Sequence, residues 1–512
     1  MKYVPIIGLE VHIQLKTKTK MFCDCKNEDA AAPNTNVCPI CLGHPGALPV
    51  PNKKAVEQAI RMAKALGCKI NHHSKFDRKN YFYPDLPKGY QISQFDLPIA
   101  EGGDLVINVP EESGGRGEVR IGITRLHLEE DAAKNIHSDD KKETYVDYNR
   151  GGAPLAEMVS EPDLRSPAEA KAYLQEVRLI ARTLGISDAD MEKGHLRCDA
   201  NISLRRFDDD GNMVGDEFNQ KTEIKNLNSF RMVERALEYE IGRQTDLWED
   251  GKPPMVASTR GWDDEKSVTT LQRSKEDSAE YRYFPEPDIP RLDLSGLDEE
   301  LAHLPELPAE KRLRFEEEYG LAKDKVHILV GNVSLSVFAE RVFSELLAWL
   351  NALPRYGEMD ESERASHTKT IMRTSGTWLL DKWVGLLNAR KLEIEDANVT
   401  PENFAELMVL VVNKDVTANT ALHILEVMTA TGKDPTHVME DEGLGRVEDA
   451  GEIADVVVRV LEHQPIEVER YHKGEEKLLK FFLGIVMKET QGKADPGIAE
   501  NMLKVELEKR KG

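Results

Sequence analysis

The chain has 512 residues and a formal net charge of -23, and 40% of its residues are hydrophobic. A chain of this length is too long to fold around a single hydrophobic core, so we expect more than one domain. It has no apolar run near the ~18 residues that a membrane-spanning helix requires. Its N-terminus lacks the pattern of a secretion signal, so we expect a cytoplasmic protein without a membrane partner. Because the total charge is strongly acidic, a nucleic-acid partner would have to meet locally basic surface.

Residues 5–15 form the first predicted strand, and they alternate strictly between apolar and polar side chains. Glu10 and His12 fall on the polar face, two residues apart, while Leu9 and Val11 face a core. A carboxylate and an imidazole so placed can hold a cation. A solvated strand face would look the same, because both residue types are common at surfaces. The pair predicts a metal site only if other ligands join it.

Four cysteines follow the first strand as two close pairs, Cys23 with Cys25 and Cys38 with Cys41. The spacing is typical of two ligand pairs that bring four thiolates onto one tetrahedral Zn²⁺. A redox Cys-x-x-Cys motif is disfavoured, since the βαβ context of such a motif is missing. Four sulfur ligands leave no open position for water, so we expect a structural zinc loop at residues 22–42.

Acidic residues recur in later predicted strands. Glu129 and Glu130 are consecutive, so they lie on opposite faces of a regular strand, and alternation alone does not decide which one approaches the polar pair of the first strand. Glu157 is a single carboxylate within an apolar strand and is costly to bury without a partner or a cation. An exposed edge position or an ion pair with Arg150 would also explain it.

The pattern of elements predicts an α+β protein. Short alternating strands with few helices extend to about residue 290, which indicates a domain around an antiparallel sheet at 1–292. The prolines of Y-F-P-E-P-D-I-P at 283–290 end that pattern, and helical periodicity dominates afterwards. We therefore predict an all-α helical domain at 293–399 and a small all-α tail at 400–512.

Several catalytic signatures are missing from the sequence. It contains no Gly-x-x-x-x-Gly-Lys-Ser/Thr loop, no Gly-x-Ser-x-Gly elbow and no recognisable glutaminase cysteine signature. Any nucleotide would have to be held through metal ions and basic side chains.

Taken together, the motifs closely resemble one family, the GatB subunits of the glutamyl/aspartyl-tRNA amidotransferases. The resemblance covers essentially the whole chain and is strongest before residue 290. It rests on the following segments: G-L-E-V-H-I-Q-L (8–15), V-C-P-I-C-L-G (37–43), K-F-D-R-K-N-Y-F-Y-P (75–84), I-T-R-L-H-L-E-E-D (123–131), S-E-P-D (160–163), L-R-C-D-A-N-I-S-L (196–204), K-N-L-N-S-F (225–230) and Y-R-Y-F-P-E-P-D (281–288).

The resemblance implies a cradle domain built on the antiparallel sheet, a helical domain and a YqeY-like tail. It implies a ligase that uses ATP to phosphorylate the side-chain carboxylate of Glu-tRNA(Gln), Asp-tRNA(Asn) or both, and then amidates it with ammonia. It also implies a glutamine-hydrolysing heterotrimer, in which the amidase GatA releases the ammonia and the small GatC subunit wraps both of the others. This division of labour would explain the missing glutaminase signature.

The same resemblance implies cofactors and site residues. ATP and Mg²⁺ would be the cofactors, with the Mg²⁺ ligands at His12, Glu130 and Glu157 and with Glu10 in reach. Lys79 resembles a residue that lines the ammonia exit. The cysteines occur in only some family members, which favours a structural Zn²⁺ over a catalytic one.

The tail carries the predicted contacts to mischarged tRNA. Five lysines stand in its helices and in the turn between them: Lys473, Lys477, Lys480, Lys488 and Lys493. A lysine-studded solvated face would look the same. A rival hypothesis for the whole chain is a non-catalytic, zinc-stabilised subunit that binds tRNA for a catalytic partner.

Overall fold

A computed structural model describes the chain at residues 2–28, 32–138, 142–208, 210, 214, 219–274, 281–352, 356, 358–444, 450–490, 494 and 496–511. The chain divides into two compact units, Met1–Leu307 and Pro308–Gly512. Strands occur in the first unit, and helices dominate the second. The predicted combination of a sheet domain followed by helical parts is confirmed.

The strands of the first unit are short apart from three long ones. They are β1 (Lys2–Gln14), β2 (Lys69–Ile70), β3 (His73–Ser74), β4 (Asp77–Asn80), β5 (Tyr90–Ser93), β6 (Ala100–Glu101), β7 (Asp104–Val109), β8 (Gly117–Glu130), β9 (Lys134–His137), β10 (Thr144–Asp147), β11 (Pro154–Ser160), β12 (Leu196–Phe207), β13 (Thr222–Leu227), β14 (Ser258–Asp263), β15 (Val268–Ser274), β16 (Phe284–Pro285) and β17 (Leu292–Asp293).

The main sheet has the strand order β15-β14-β13-β12-β1-β11-β8-β6-β2, and β7 pairs with β8 outside this path. Its neighbouring strands run antiparallel except β13 and β14, which are parallel. The helix Phe230–Glu249 connects that pair, as a parallel crossover requires. The predicted antiparallel sheet is therefore confirmed, with one parallel pair that the sequence analysis did not anticipate.

The first strand lies at the centre of this sheet and separates two environments. Its apolar side chains are buried, with Ile7, Leu9, Val11 and Ile13 at most 1% exposed. Three helices contribute to the core that covers this face: α1 (Lys53–Ala65), α2 (Pro167–Thr183) and α3 (Phe230–Glu249). The opposite face is left to the polar residues of the same strands, because side chains alternate along a strand.

The first unit continues past its last strand. The pairing of β17 with β3 keeps residues Leu292–Asp293 in this unit, and a short helix, α4 (Ser295–Glu300), follows them. The compact unit ends at Leu307, whereas the sequence analysis placed the end of the domain at 292.

Helices are the main regular elements of the second unit among its described residues. Its helices are α5 (Pro308–Tyr319), α6 (Lys323–Val330), α7 (Val333–Ala352), α8 (Glu361–Trp378), α9 (Val384–Arg390), α10 (Pro401–Asn413), α11 (Ala418–Thr431), α12 (Pro435–Asp441), α13 (Ala450–Glu462), α14 (Pro465–His472), α15 (Leu478–Glu489) and α16 (Pro496–Lys509). Phe338 on α7 and Phe404 on α10 pack edge to face, with ring centroids 6.2 Å apart. Helices on both sides of residue 400 thus share a contact, and the division at 399/400 stays a prediction.

No single helix among the described residues is long and apolar enough to cross a membrane. The helices Lys323–Val330 and Val333–Ala352 meet that test by length and composition only when they are joined, and they are bent by 117° where they meet.

The two faces of β1 make a direct stability prediction. Replacing the fully buried Ile13 with Ala should lower the free energy of unfolding of the first unit by about 2–5 kcal/mol, because it leaves a cavity in the core. Replacing the adjacent Gln14 with Ala should cost about 0.5 kcal/mol or less, because its side chain lies on the other face. Urea unfolding of the full chain, followed by the circular dichroism of the sheet, measures both. Equal losses for the two variants would contradict this assignment of faces.

Candidate functional site

The strand register builds a row of polar side chains across the sheet. His12 on β1 lies opposite Glu157 on β11, and Glu157 lies opposite His127 on β8. On the other side of β1, His12 lies opposite Arg197 of β12. Directly opposed residues share a face, so these four side chains project from the polar side of the sheet.

These side chains and their neighbours converge on one point. The His12 Nε2 atom lies 3.3 Å from Glu157 Oε2, 3.5 Å from Glu129 Oε1 and 3.8 Å from Glu10 Oε1. The His127 Nε2 atom lies 3.2 Å from the same Glu157 oxygen. Glu129, Glu157 and His127 are buried, whereas Glu10 is partly exposed. We call these five residues the carboxylate-histidine cluster.

The cluster fits a divalent cation by its donor atoms. Ligand atoms of Glu10, His12 and Glu157 lie within 4.8 Å of one another, and so do those of His127, Glu129 and Glu157. Carboxylate oxygens are the ligands that Mg²⁺ prefers, usually one or two from the protein together with water and phosphate oxygens. The Nδ1 atom of His127 is buried and has no hydrogen-bond partner among the described residues. The predicted ligands His12, Glu157 and Glu10 are thus brought together.

The titration behaviour of the cluster reflects its crowded negative charge. Burial alone would lower the pKa of His12, but its hydrogen bond to Glu157 and the charges of Glu129 and Glu10 raise it to about 9. Burial likewise opposes ionisation of Glu157, yet His127 and His12 hold the pKa of that carboxyl well below its usual range. Burial, followed by repulsion from Glu157, raises the pKa of Glu10. The cluster therefore has a strong demand for positive charge.

Lys79 of β4 supplies a further positive charge beside the cluster. Burial opposes its charged form, but the carboxylates of Glu129 and Glu157 raise the pKa of Lys79 above its ordinary value. Its Nζ atom also lies 5.0 Å from the centroid of the Tyr281 ring. The structure thus brings the sequence-predicted Lys79 near the carboxylates.

The structure does not bring Glu130 into the cluster. The Glu130 carboxylate faces the other side of β8, where Lys88 Nζ lies 2.5 Å from its Oε1 atom and the Ile92 backbone N–H donates to the same oxygen at 2.9 Å. Glu129, the first acid of the pair, stands near His12 instead. The resemblance selected the second acid, and consecutive strand residues point to opposite faces.

The sequence analysis missed one member of the cluster, His127, and it named another, Glu129, only as the alternative to Glu130. A signal for them was present, because the spacing His127-x-Glu129 on β8 mirrors Glu10-x-His12 on β1. Each pair places an imidazole and a carboxylate on one strand face.

The charged face of the sheet extends beyond the cluster onto the neighbouring strands. Lys225 on β13 contacts Asp199 on β12 at 2.5 Å and Glu223 on its own strand at 2.9 Å. Arg197, the member of the row on β12, contacts the buried Asp131 at 2.7 Å. Charged side chains thus continue from the cluster onto β12 and β13.

The four predicted zinc ligands are also brought together. The Sγ atoms of Cys23, Cys25, Cys38 and Cys41 lie within 4.8 Å of one another, and those of Cys38 and Cys41 are 3.8 Å apart. A tetrahedron with Zn–S bonds of about 2.3 Å has S···S edges of about 3.8 Å. A hydrogen bond from the Cys23 thiol lowers the pKa of Cys41 to about 4. All six cysteines of the chain are free thiols, so this cluster could hold a metal such as zinc.

The lysines of the tail differ in their surroundings. Lys477, Lys480 and Lys488 are exposed at the start and along α15. Lys473 is exposed too, but its Nζ atom lies 3.2 Å from a carboxylate oxygen of Glu469. Lys493 lies outside the described residues.

Comparisons with known proteins find similar sequences along most of the chain. A family model described as the GatB/GatE catalytic domain matches residues 5–298, and one described as the GatB domain matches residues 362–507. The B subunit of the aspartyl/glutamyl-tRNA(Asn/Gln) amidotransferase of Persephonella marina is 45% identical over 98% of this chain and 99% of its own length. The protein of the same name from Carboxydothermus hydrogenoformans is 43% identical over 99% of both chains.

A third relative of that name, from Oleidesulfovibrio alaskensis, is 45% identical over 99% of both chains. The catalytic-domain model alone matches more than half of the chain, and it covers β1, β8 and β11, which carry the carboxylate-histidine cluster. The chain therefore belongs to the family of GatB proteins, the B subunits of the aspartyl/glutamyl-tRNA(Asn/Gln) amidotransferases.

Proposed function

We propose that this chain is the subunit that activates and amidates the amino acid of a mischarged tRNA. The substrates would be Glu-tRNA(Gln), Asp-tRNA(Asn) or both, and the products Gln-tRNA(Gln) or Asn-tRNA(Asn), made in the cytoplasm. The carboxylate-histidine cluster carries this proposal, because it concentrates three carboxylates beside a lysine on the polar face of the sheet. Such a set serves phosphoryl transfer, in which charge must be neutralised at the phosphate.

The first step joins two anions, the substrate carboxylate and the γ-phosphate of ATP. A carboxylate oxygen of the aminoacyl side chain attacks the γ-phosphorus, the bond to the β-phosphate oxygen breaks, and an acyl phosphate and ADP result. His12, Glu129 and Glu157 would hold Mg²⁺, with Glu10 in reach. When bound there, Mg²⁺ would neutralise charge on the phosphate oxygens. Lys79 adds a fixed positive charge on the side of Glu129 and Glu157.

The second step uses ammonia. Its nitrogen attacks the acyl carbon, inorganic phosphate leaves, and a proton is lost to give the amide. We propose that the amidase GatA makes this ammonia from glutamine, that the small GatC subunit makes up a heterotrimer with the other two, and that Lys79 lines the exit. The naming of the relatives as B subunits and the missing glutaminase signature support this division.

We further propose that one face of α15 contacts the tRNA backbone. Lys477, Lys480, Phe481, Gly484 and Lys488 are exposed and recur at intervals of three and four residues, so they share one side of the helix. Phe481 is 44% exposed, and a Cβ atom added at Gly484 would meet no other atom within 4 Å. Lysines beside an exposed ring suit phosphate contact and base stacking. We call these five residues the tail stripe.

The two adjacent acids of β8 test the assignment of the metal ligands. In the purified heterotrimer, Glu129→Gln should lower tRNA-dependent ATP turnover by more than about 100-fold and raise the Mg²⁺ concentration required, since changes around metal ligands already cost about 10–100-fold. Glu130→Gln should leave the Mg²⁺ requirement unchanged, because its carboxylate faces Lys88. ADP release against Mg²⁺ concentration measures both.

Measuring tRNA binding by each variant distinguishes a loss of ATP turnover from a loss of folding. Wild-type ATP turnover and amide formation by Glu129→Gln would overturn the kinase assignment. That outcome would favour the rival hypothesis, a non-catalytic, zinc-stabilised subunit that binds tRNA.

The division of labour makes a separate prediction. Inactivating the amidase GatA should abolish amide formation from glutamine but leave it intact with ammonium salts, because the acyl phosphate and its amination belong to this chain. Measuring Gln-tRNA(Gln) and Asn-tRNA(Asn) with both nitrogen donors also shows which substrate is used. Loss of the ammonia-supported reaction together with the glutamine-supported one would contradict this division.

The tail stripe predicts a change in the salt dependence of tRNA binding. Replacing Lys477, Lys480 and Lys488 together with Ala should weaken binding and reduce the slope of log K against log salt by about 2–3, since each phosphate contact contributes ~0.7–0.9. The matched control replaces Lys433, Lys504 and Lys509, which are ion-paired with acidic side chains. An equal change of slope for both triple variants would contradict a specific role of the stripe.

A further inference from the structure

One lysine beside the cysteine cluster has an unusual environment. Lys20 follows β1 and is only 1% exposed, which makes it one of the largest fully buried side chains described. Its Nζ atom donates a hydrogen bond to the backbone carbonyl of Asn36 at 3.0 Å and lies 3.9 Å from the Sγ atom of Cys41. The side chain is held against Gly152, where an added Cβ would lie 3.4 Å from Lys20 Cδ and 3.6 Å from Cys41 Cβ. The ammonium group is therefore fixed beside the sulfur.

A buried ammonium group requires a compensating negative charge. The nearby, partly buried Lys88 meets this requirement through Glu130. Among the residues that the structure describes, no carboxylate lies within ion-pair distance of Lys20, and its charged end faces one carbonyl oxygen and one sulfur. The cysteine cluster itself is therefore the source of negative charge that lies next to Lys20.

A metal-loaded cluster would supply that anion. Four thiolates around one Zn²⁺ carry a net charge of -2, and the four sulfur atoms have the spacing for this arrangement. Cys41 also accepts a hydrogen bond from the Cys38 backbone N–H at 3.1 Å, so two N–H donors converge on its sulfur. Donors around metal ligands orient them and tune the electron density of the ligand atoms.

We propose that Lys20 is a positioning residue of the metal centre, which balances its negative charge and donates an N–H···S hydrogen bond to Cys41. This role rests on metal binding by the four cysteines and not on phosphoryl transfer. By withdrawing electron density from the sulfur, Lys20 strengthens retention of the metal against protons and protects Cys41 from alkylation. It also ties the chain segment that leaves β1 to the cysteine loop.

Metal competition in the purified full chain tests this role. Lys20→Met should weaken Zn²⁺ retention against a chromophoric chelator on the order of 10–100-fold. The matched control is Lys18→Met, which removes the same charge from an exposed side chain two residues earlier and should leave Zn²⁺ retention unchanged. The iodoacetamide reaction of the zinc-loaded protein should be faster for Lys20→Met than for the control.

Cobalt substitution provides an absorption band that would not shift if Lys20 had only a structural role. In the Co²⁺-loaded protein, the sulfur-to-cobalt charge-transfer band should shift to longer wavelength in Lys20→Met, because the thiolate becomes more electron-rich. If Lys20→Met does not fold, Lys20→Gln keeps a donor without the charge and should show a smaller shift in the same direction. Unchanged Zn²⁺ retention with an unchanged cobalt band in a folded variant would overturn the proposal. The proposal would also be overturned if the wild-type chain took up neither metal. That outcome would leave the proposed function standing if ATP turnover were intact.

Discussion

The site depends on one electrostatic constraint, the confinement of three carboxylates and two imidazoles where little water can screen them. Ionised carboxylates at such short distances repel one another, and burial strengthens the repulsion. A proton on His12 relieves part of it, which is why the pKa of His12 is raised although burial works in the opposite direction. A divalent cation would relieve it further, and this demand for positive charge is the physical link between the sheet and the phosphoryl transfer that we propose for it.

The central position of β1 makes this arrangement possible. Antiparallel pairing with β11 and β12 holds the strand on both sides, and the buried apolar face fixes its register. A slip of one residue would exchange the two faces and place Glu10 and His12 in the core. The same residues that build the core therefore hold the carboxylate-histidine cluster in place.

The cysteine loop and the end of β8 are packed against the same point of the backbone. Gly152 has a positive φ of 88°, and a Cβ at this position would lie 3.4 Å from Lys20 Cδ and 3.9 Å from Glu130 Oε2. Two lysines lie near it, the buried Lys20 directed toward Cys41 and the partly buried Lys88 directed toward Glu130. The end of β8, which carries Glu129, is thus supported by a line of charged groups that extends into the cysteine loop.

The sequence by itself determined the features that depend on local pattern. Strict alternation separated the two faces of β1, cysteine spacing predicted the four-sulfur cluster, and the change of periodicity near residue 290 marked the passage from strands to helices. Only the tertiary structure decided that Glu129 joins His12 while Glu130 meets Lys88, and that β13 and β14 run parallel. The reason is that alternation assigns consecutive residues to opposite faces but does not identify the faces. That identity is set by the neighbouring strands and by what packs on each side of them, which are contacts between residues far apart in the chain.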